Sequence, residues 1–263
     1  MKFRTLRACL FIVGAATLLI ATTGHAQFER RKAPKLPEAN FSMGFFGNIN
    51  TNIHSGDFTT ANSAYVCEKF ADGAGAGPAG GIELLYNFST HYGTLLRLGY
   101  GSYYGSFLSE RGQIALIEAG GQYQREHVWR SSLDYGTAEL MFNFTPITRR
   151  IQFMVGPTFS YNLKKYFTQE EHILTVSGSK PYVFPASGTN TWVVDSGDMG
   201  GIRPLLIGAE IGVAMEFKIG RSILFTPTAY AHYFVQSPST LIPWTVLTFK
   251  LGASIRYVLS YDD

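Results

Sequence analysis

Nucleophilic catalysis needs a hydroxyl or thiol with a base in hydrogen-bond reach, and the base is commonly a histidine oriented by a third group. His54, His91, His127, His172 and His232 are the imidazoles beyond the N-terminal segment, and none stands in a recognisable Ser or Asp pattern. His232, near Tyr230 and Tyr233, is the most suggestive, yet a packed or interfacial histidine explains it as well. Glu170, Glu171 and His172 share a segment with Asp195 and Asp198, enough to hold a divalent ion weakly, although a solvated acidic loop reads the same way. Gly75-Ala76-Gly77-Pro78-Ala79-Gly80 spells G-x-G-x-x-G, but a dinucleotide site needs a strand before it and a helix after it. Here an irregular stretch precedes, a proline interrupts and a strand-like run follows. These residues assign no catalytic group, no metal site and no cofactor.

A second set of charges is placed more regularly. Glu83, Arg97, Glu139, Glu210, Glu216, Lys250 and Arg256 each occupy the polar phase of a segment whose other phase is apolar. The last such segment, Trp244 to Tyr261, shows it most plainly. Leu247, Phe249, Leu251, Ala253, Ile255, Tyr257, Leu259 and Tyr261 fall on one phase, and Thr248, Lys250, Gly252, Ser254, Arg256 and Ser260 on the other. A period of two marks a β-strand whose faces meet different media, and about 9–11 residues cross a bilayer at a tilt.

The same alternation sets out eight strands: Phe41 to Ile53, Pro78 to Phe88, Gly93 to Tyr104, Ser131 to Phe144, Ile151 to Lys164, Leu205 to Phe217, Ile223 to Phe234 and Trp244 to Tyr261. Phe46 breaks the pattern of the first. Leu133 and Tyr135 are out of phase in the fourth and point to a bulge near Gly136. The seventh is apolar on both registers, so its phase stays open. Connections are long after the first, third and fifth strands, short after the second, fourth and sixth, and moderate after the seventh. Ile114 to Ile117 and Ile173 to Val176 are too short to span and read as hairpins that extend the wall into the long connections.

The N-terminus carries Lys2, Arg4 and Arg7, then an apolar run from Ala8 to Ile20 and small residues before Ala26, the pattern of a secretory leader cleaved near Ala26. Residues 27–40 read as a short basic tether, and 41–263 as one barrel domain. Cleavage removes Cys9 and leaves Cys67 alone, so the mature chain forms no internal disulfide. A net charge of +3 gives no argument for a nucleic-acid partner. Charged residues make up 16% of the chain, against about 25% in ordinary soluble domains.

Alternation alone does not separate a membrane barrel from a soluble one that wraps an apolar ligand. The polar phase decides: it is Gly, Ser, Thr and Asn with an occasional charge, whereas a water-facing phase would be dense in Lys and Glu. Phe41, Phe88, Phe144, Tyr161, Phe217, Tyr257 and Tyr261 put aromatics near strand ends, as interfacial girdles require. The apolar face is therefore expected outward, and the seven charges are expected to pair across a narrow interior. If instead Leu251, Ile255, Ile211 and Val155 lined a cavity, the molecule would be a soluble carrier.

On these features the chain resembles the eight-stranded outer-membrane β-barrels typified by the outer-membrane protein A transmembrane domain and the opacity-type porin-like family. The resemblance rests on strand count, loop alternation and the terminal strand rather than on a motif. It implies an all-β, up-and-down antiparallel transmembrane barrel of about eight strands in a Gram-negative-type outer membrane. It also implies insertion by the outer-membrane assembly machinery, which reads a terminal strand ending in an aromatic residue. Here Asp262 and Asp263 follow Tyr261. The role expected is non-enzymatic: a monomer in outer-membrane lipid, structural or binding an external ligand of unknown identity through its long loops. A narrow channel and a lipid- or protein-cleaving barrel enzyme are the alternatives.

Overall fold

The computed structural model describes residues 39–56, 58–59, 69–70, 72–109, 112–116, 121–146, 151–175, 181–220 and 222–261. The expected leader, most of the tether and Cys67 lie outside the described residues. Eight long strands form the wall: β1 (Ala39–Gly56), β2 (Gly73–Asn87), β3 (Tyr92–Ser102), β4 (Gly121–Phe144), β5 (Ile151–Thr175), β6 (Leu205–Met215), β7 (Ile223–Phe234) and β8 (Trp244–Tyr261). Each pairs antiparallel with its sequence neighbours, and β8 pairs with β1, so the sheet closes on itself.

Solvent exposure settles which face is outside. Leu251, Ile255, Ile211 and Val155 are 60%, 59%, 62% and 53% exposed, whereas Lys250, Arg256 and Glu210 are 2% or less. Burying the charges and exposing the aliphatics is unfavourable in water and favourable only when hydrocarbon surrounds the wall. From Leu247 to Leu259 the outward phase of β8 covers about 40 Å of strand, or about 30 Å along the axis at a tilt of about 40°. The fold is a transmembrane up-and-down antiparallel β-barrel of eight strands, and the soluble-carrier alternative is excluded.

β7 now has a phase. Leu224, Thr226, Thr228, Tyr230, His232 and Phe234 are buried in the interior, while Ile223 and Tyr233 face out. Phe46, which broke the pattern of β1, is an inward residue. The bulge is real but misplaced by the sequence reading. Leu133 and Tyr135 stay in phase with Thr137 and Glu139 and point inward, so β4 does not bulge near Gly136. Tyr135 pairs with Asn162 and Asp134 with Lys164, which leaves Leu163 of β5 as the extra residue. The side-chain phase of β5 reverses there: Met154, Thr158 and Ser160 are buried below it, Gln169 and Ile173 above it. Lys164, which the unbroken alternation from Gln152 would put on the inward phase, is turned out.

Beyond the bulge β4 and β5 continue as a paired ribbon past the ends of β3 and β6. β4 therefore starts ten residues before Ser131, and β5 runs on to Thr175. Gly105–Leu108 and Gly112–Leu116 pair with β4, and Thr191–Asp198 pairs with β5. The long connections are thus partly a sheet standing on the rim, in keeping with the expected hairpins. At the opposite end the turns are short, and Gly220 makes one of them at φ +72°.

Candidate functional site

Eight strands leave a lumen just wide enough for side chains, so every inward residue competes for one narrow volume. The seven charges predicted to point inward all do so, and they join in one alternating chain. Glu83 and Glu139 are the cross-strand neighbours of Arg97 on β2 and β4. Arg97 Nε donates to Glu83 Oε2 at 2.8 Å, and its Nη1 lies 4.0 Å from Glu139 Oε2. Lys250 reaches across from β8 and donates to Glu139 Oε1 at 2.6 Å and Glu210 Oε2 at 2.5 Å. On the short-turn side Arg256 lies 3.4 Å from Glu83 Oε1 and 3.1 Å from Glu216 Oε2. The order is Glu216, Arg256, Glu83, Arg97, Glu139, Lys250, Glu210, with no two like charges adjacent.

Neutral groups complete it. Arg256 Nη2 donates to Thr226 Oγ1 at 2.8 Å, and Gln152 Nε2 to Glu216 Oε2 at 3.1 Å. The Arg97 guanidinium lies 4.6 Å from the ring centroids of both Phe46 and Tyr230. Aromatic faces stabilise a desolvated guanidinium, which accounts for the inward phenyl at position 46.

Apolar and polar layers flank the charges. Toward the short turns, Leu85, Leu95, Met141, Met154 and Ala214 pack with Tyr230. Toward the long connections, Thr158 Oγ1 lies 2.9 Å from His232 Nε2, and Thr248 donates to Asn52 Oδ1 at 3.0 Å. Above these, Phe107, Trp129, Tyr135, Leu206, Phe234 and Trp244 form a buried aromatic plug. Trp244 Nε1 donates to His54 Nδ1 at 3.1 Å, and His54 Nε2 lies 3.2 Å from the Tyr104 carbonyl. An acceptor at Nδ1 and a carbonyl at Nε2 fix the neutral tautomer protonated at Nε2. The sequence reading missed this plug. Its signal was an aromatic on the polar phase: Trp244 shares the phase of Lys250.

The other candidates separate. His54 and His232 are buried in the interior, His91 lies in an exposed short turn beside Thr90, and His172 sits on the external ribbon. There Glu170 accepts from Arg130 and lies 2.9 Å from His172 Nε2. Burial raises the Glu170 carboxyl, but its hydrogen bonds with His172 and Arg130 and the attraction of Arg130 outweigh that and hold it below its ordinary value. Among the described residues no cluster of three or more His, Cys, Asp or Glu side chains has the geometry of a metal site. The G-x-G-x-x-G run lies inside β2, where a Cβ on Gly75 would meet the Tyr104 carbonyl. Close backbone approach, not phosphate binding, accounts for that glycine.

The ring, the outward apolar band and the filled lumen define the class: a transmembrane β-barrel with the eight-stranded architecture that the resemblance implied. No family model matches the sequence, and no curated protein matches it. Among solved structures, Ail, the attachment invasion locus protein of Yersinia pestis, is 13% identical over 84% of this chain and 99% of its own, with a TM-score of 0.34. The outer membrane protein AlkL is 13% identical over 90% and 98%, with a TM-score of 0.38. The outer membrane protease OmpT from Escherichia coli is 9% identical over 87% and 99%, with a TM-score of 0.37. None of these similarities assigns an activity to this chain.

Proposed function

We propose that this is a non-enzymatic barrel of a Gram-negative-type outer membrane, exported by its leader, inserted by the outer-membrane assembly machinery and working as a monomer. Its long-connection end faces outward, and its role is structural or one of surface interaction through the external ribbon. The observation that carries this reading is the lumen, filled from the Arg256 layer to the Trp244 plug by side chains that pair with one another. A wall filled in this way supplies rigidity and leaves the projecting sheet free for contact with an external ligand. Trp192 and Val193 offer exposed apolar groups on that sheet.

Single-channel recording in planar bilayers tests it, with no reproducible conductance expected. A narrow channel is the second reading, favoured by buried polar atoms without partners along the lumen, including Glu210 Oε1, Ser160 Oγ and Asn50 Oδ1. Buried groups of this kind recruit ordered water. A steady unitary current that disappears on Leu substitution at Ser160 would replace the structural reading with the channel. Binding assays with variants lacking residues 181–198 would then show whether the ribbon touches a partner.

A further inference from the structure

The outer wall is not uniformly studded. On β4 the outward residues Gly136 and Ala138 are small, while their neighbours Leu98 on β3 and Phe159 and Tyr161 on β5 are large. Together with Leu205 they border a groove of about 370 Å³. A Cβ on Gly136 would make ordinary van der Waals contact with the Leu163 side chain at 3.8 Å, so a side chain added there meets no clash and would enter the groove.

A second cleft, about 360 Å³, continues along β5 at Asn162 and Leu163 and is bordered by Lys164, Lys165, Asp198 and Pro204. The two differ in character. The groove lies in the apolar band, and the cleft lies at its upper edge, where Tyr161 and Leu163 give way to Lys164. The bulge at Leu163 creates this edge, because the phase reversal turns Lys164 out of the wall. Its ammonium lies 5.9 Å from the Tyr166 ring, and no carboxylate lies within 4 Å of it among the described residues. Arg203, exposed one residue before Pro204, donates from Nε to the Ser237 carbonyl at 3.1 Å. Asp134 is the cross-strand partner of Lys164, and Asp198 borders the cleft. Lys165 pairs with the inward Leu133 and belongs to the interior phase, which leaves Lys164 as the cation that β5 turns outward at the cleft.

We propose that the groove and cleft together hold one membrane lipid, its acyl chain along Gly136 and Ala138 and its anionic phosphate headgroup on Lys164. The inference rests on the outward face being the lipid-facing one. A groove in hydrocarbon must be filled to recover dispersion contacts, and a flexible chain entering from the bilayer does so. Each surface cation near an anionic headgroup favours it by about fivefold. Removing the charge at Lys164 should therefore bring anionic and zwitterionic lipids close to parity.

Native mass spectrometry of the barrel released from vesicles of phosphatidylcholine and phosphatidylglycerol in equal amounts tests this. The wild type is expected to retain phosphatidylglycerol about fivefold over phosphatidylcholine. Lys164→Gln should remove that preference while leaving a lipid bound, and Gly136→Leu should remove the retained lipid of either kind. Lys218→Gln, which removes a charge at the opposite end of the wall, should change neither. Far-ultraviolet circular dichroism confirms that each variant keeps its sheet, and Ala138→Leu replaces Gly136→Leu if that one does not fold. A preference that survives Lys164→Gln, or a retained lipid that survives filling of the groove, overturns the proposal. A wild-type barrel that fails to enter vesicles at all overturns the lipid-facing reading, and the proposal with it.

Discussion

Lys250→Met keeps most of the side-chain volume at the centre of the lumen and removes the one cation that Glu139 and Glu210 share. Both contacts are short, 2.6 and 2.5 Å, and the three side chains are 3%, 4% and 0% exposed. Deleting one partner of a buried ion pair costs about 3–5 kcal/mol, because the charge left behind has neither water nor a counter-ion. The two carboxylates are not equally stranded. Glu139 keeps Arg97 at 4.0 Å, whereas Glu210 has no other cation within 4 Å among the described residues. Most of the loss therefore belongs to Glu210, and Glu210→Gln in the Lys250→Met background should recover more than half of it. Urea unfolding in phosphatidylcholine vesicles, followed by tryptophan emission, measures both changes. The expected loss is about two to four orders of magnitude in the folding equilibrium. A loss below about 1 kcal/mol, or no recovery on adding Glu210→Gln, would show that water rather than Lys250 compensates these carboxylates.

Phe46→Ala should cost about 3–5 kcal/mol, since it empties an interior position and strips one aromatic face from Arg97. Phe45→Ala, one residue away on the lipid face, should cost clearly less; equal losses in the same unfolding assay would invert the assignment of faces. On the external ribbon, Glu170 has a folded-state pKa below its ordinary value of 4.5. A depressed carboxyl stabilises above its unfolded pKa, and that contribution is lost as pH falls through the lower folded value. Amide exchange at residues 168–172 should therefore speed up on acidification below about 4.5 beyond its intrinsic change, and Glu170→Gln should abolish the extra acceleration.

How much of this was legible depended on what each inward face had to accommodate. From Gly208 to Ala214 in β6 and from Thr248 to Arg256 in β8 the inward residues are small, polar or charged and the outward ones mostly apolar, so their phase could be read directly. β7 puts Leu224, Tyr230 and Phe234 inward beside Thr226 and Thr228, and the lumen's own demand for large apolar side chains hid its phase. The same demand made Leu133 and Tyr135 look out of register on β4, while the extra residue sat on β5, where both neighbours of Leu163 are polar. The Glu83–Arg97 pair lies across a short turn, where register is a local property. The Lys250 contacts do not, because β8 and β4 stand on opposite sides of the ring and no local pattern records a distance across a lumen.

Four glycines on the inner wall stand opposite ring-bearing side chains. Tyr230 is the cross-strand partner of Gly212, Phe234 of Gly208, Phe46 of Gly81 and Tyr135 of Gly101. A Cβ on Gly81 would meet the Leu98 carbonyl and one on Gly208 the His232 and Thr158 side chains, whereas Gly212 alone of the four lies under its partner's ring. At Gly212 a Cβ would sit inside the Tyr230 ring, the same ring that covers Arg97. Gly212→Ala must push that ring off the guanidinium, so it should cost about 1–3 kcal/mol in the vesicle unfolding assay. Gly47, on the outward face with nothing within 4 Å of a built Cβ, is the control. There Ala should be neutral or stabilise by up to about 1 kcal/mol, because only the unfolded chain's freedom changes. Equal effects at the two positions would mean that the glycines serve backbone flexibility, and that the lumen is looser than the Arg97 stack requires.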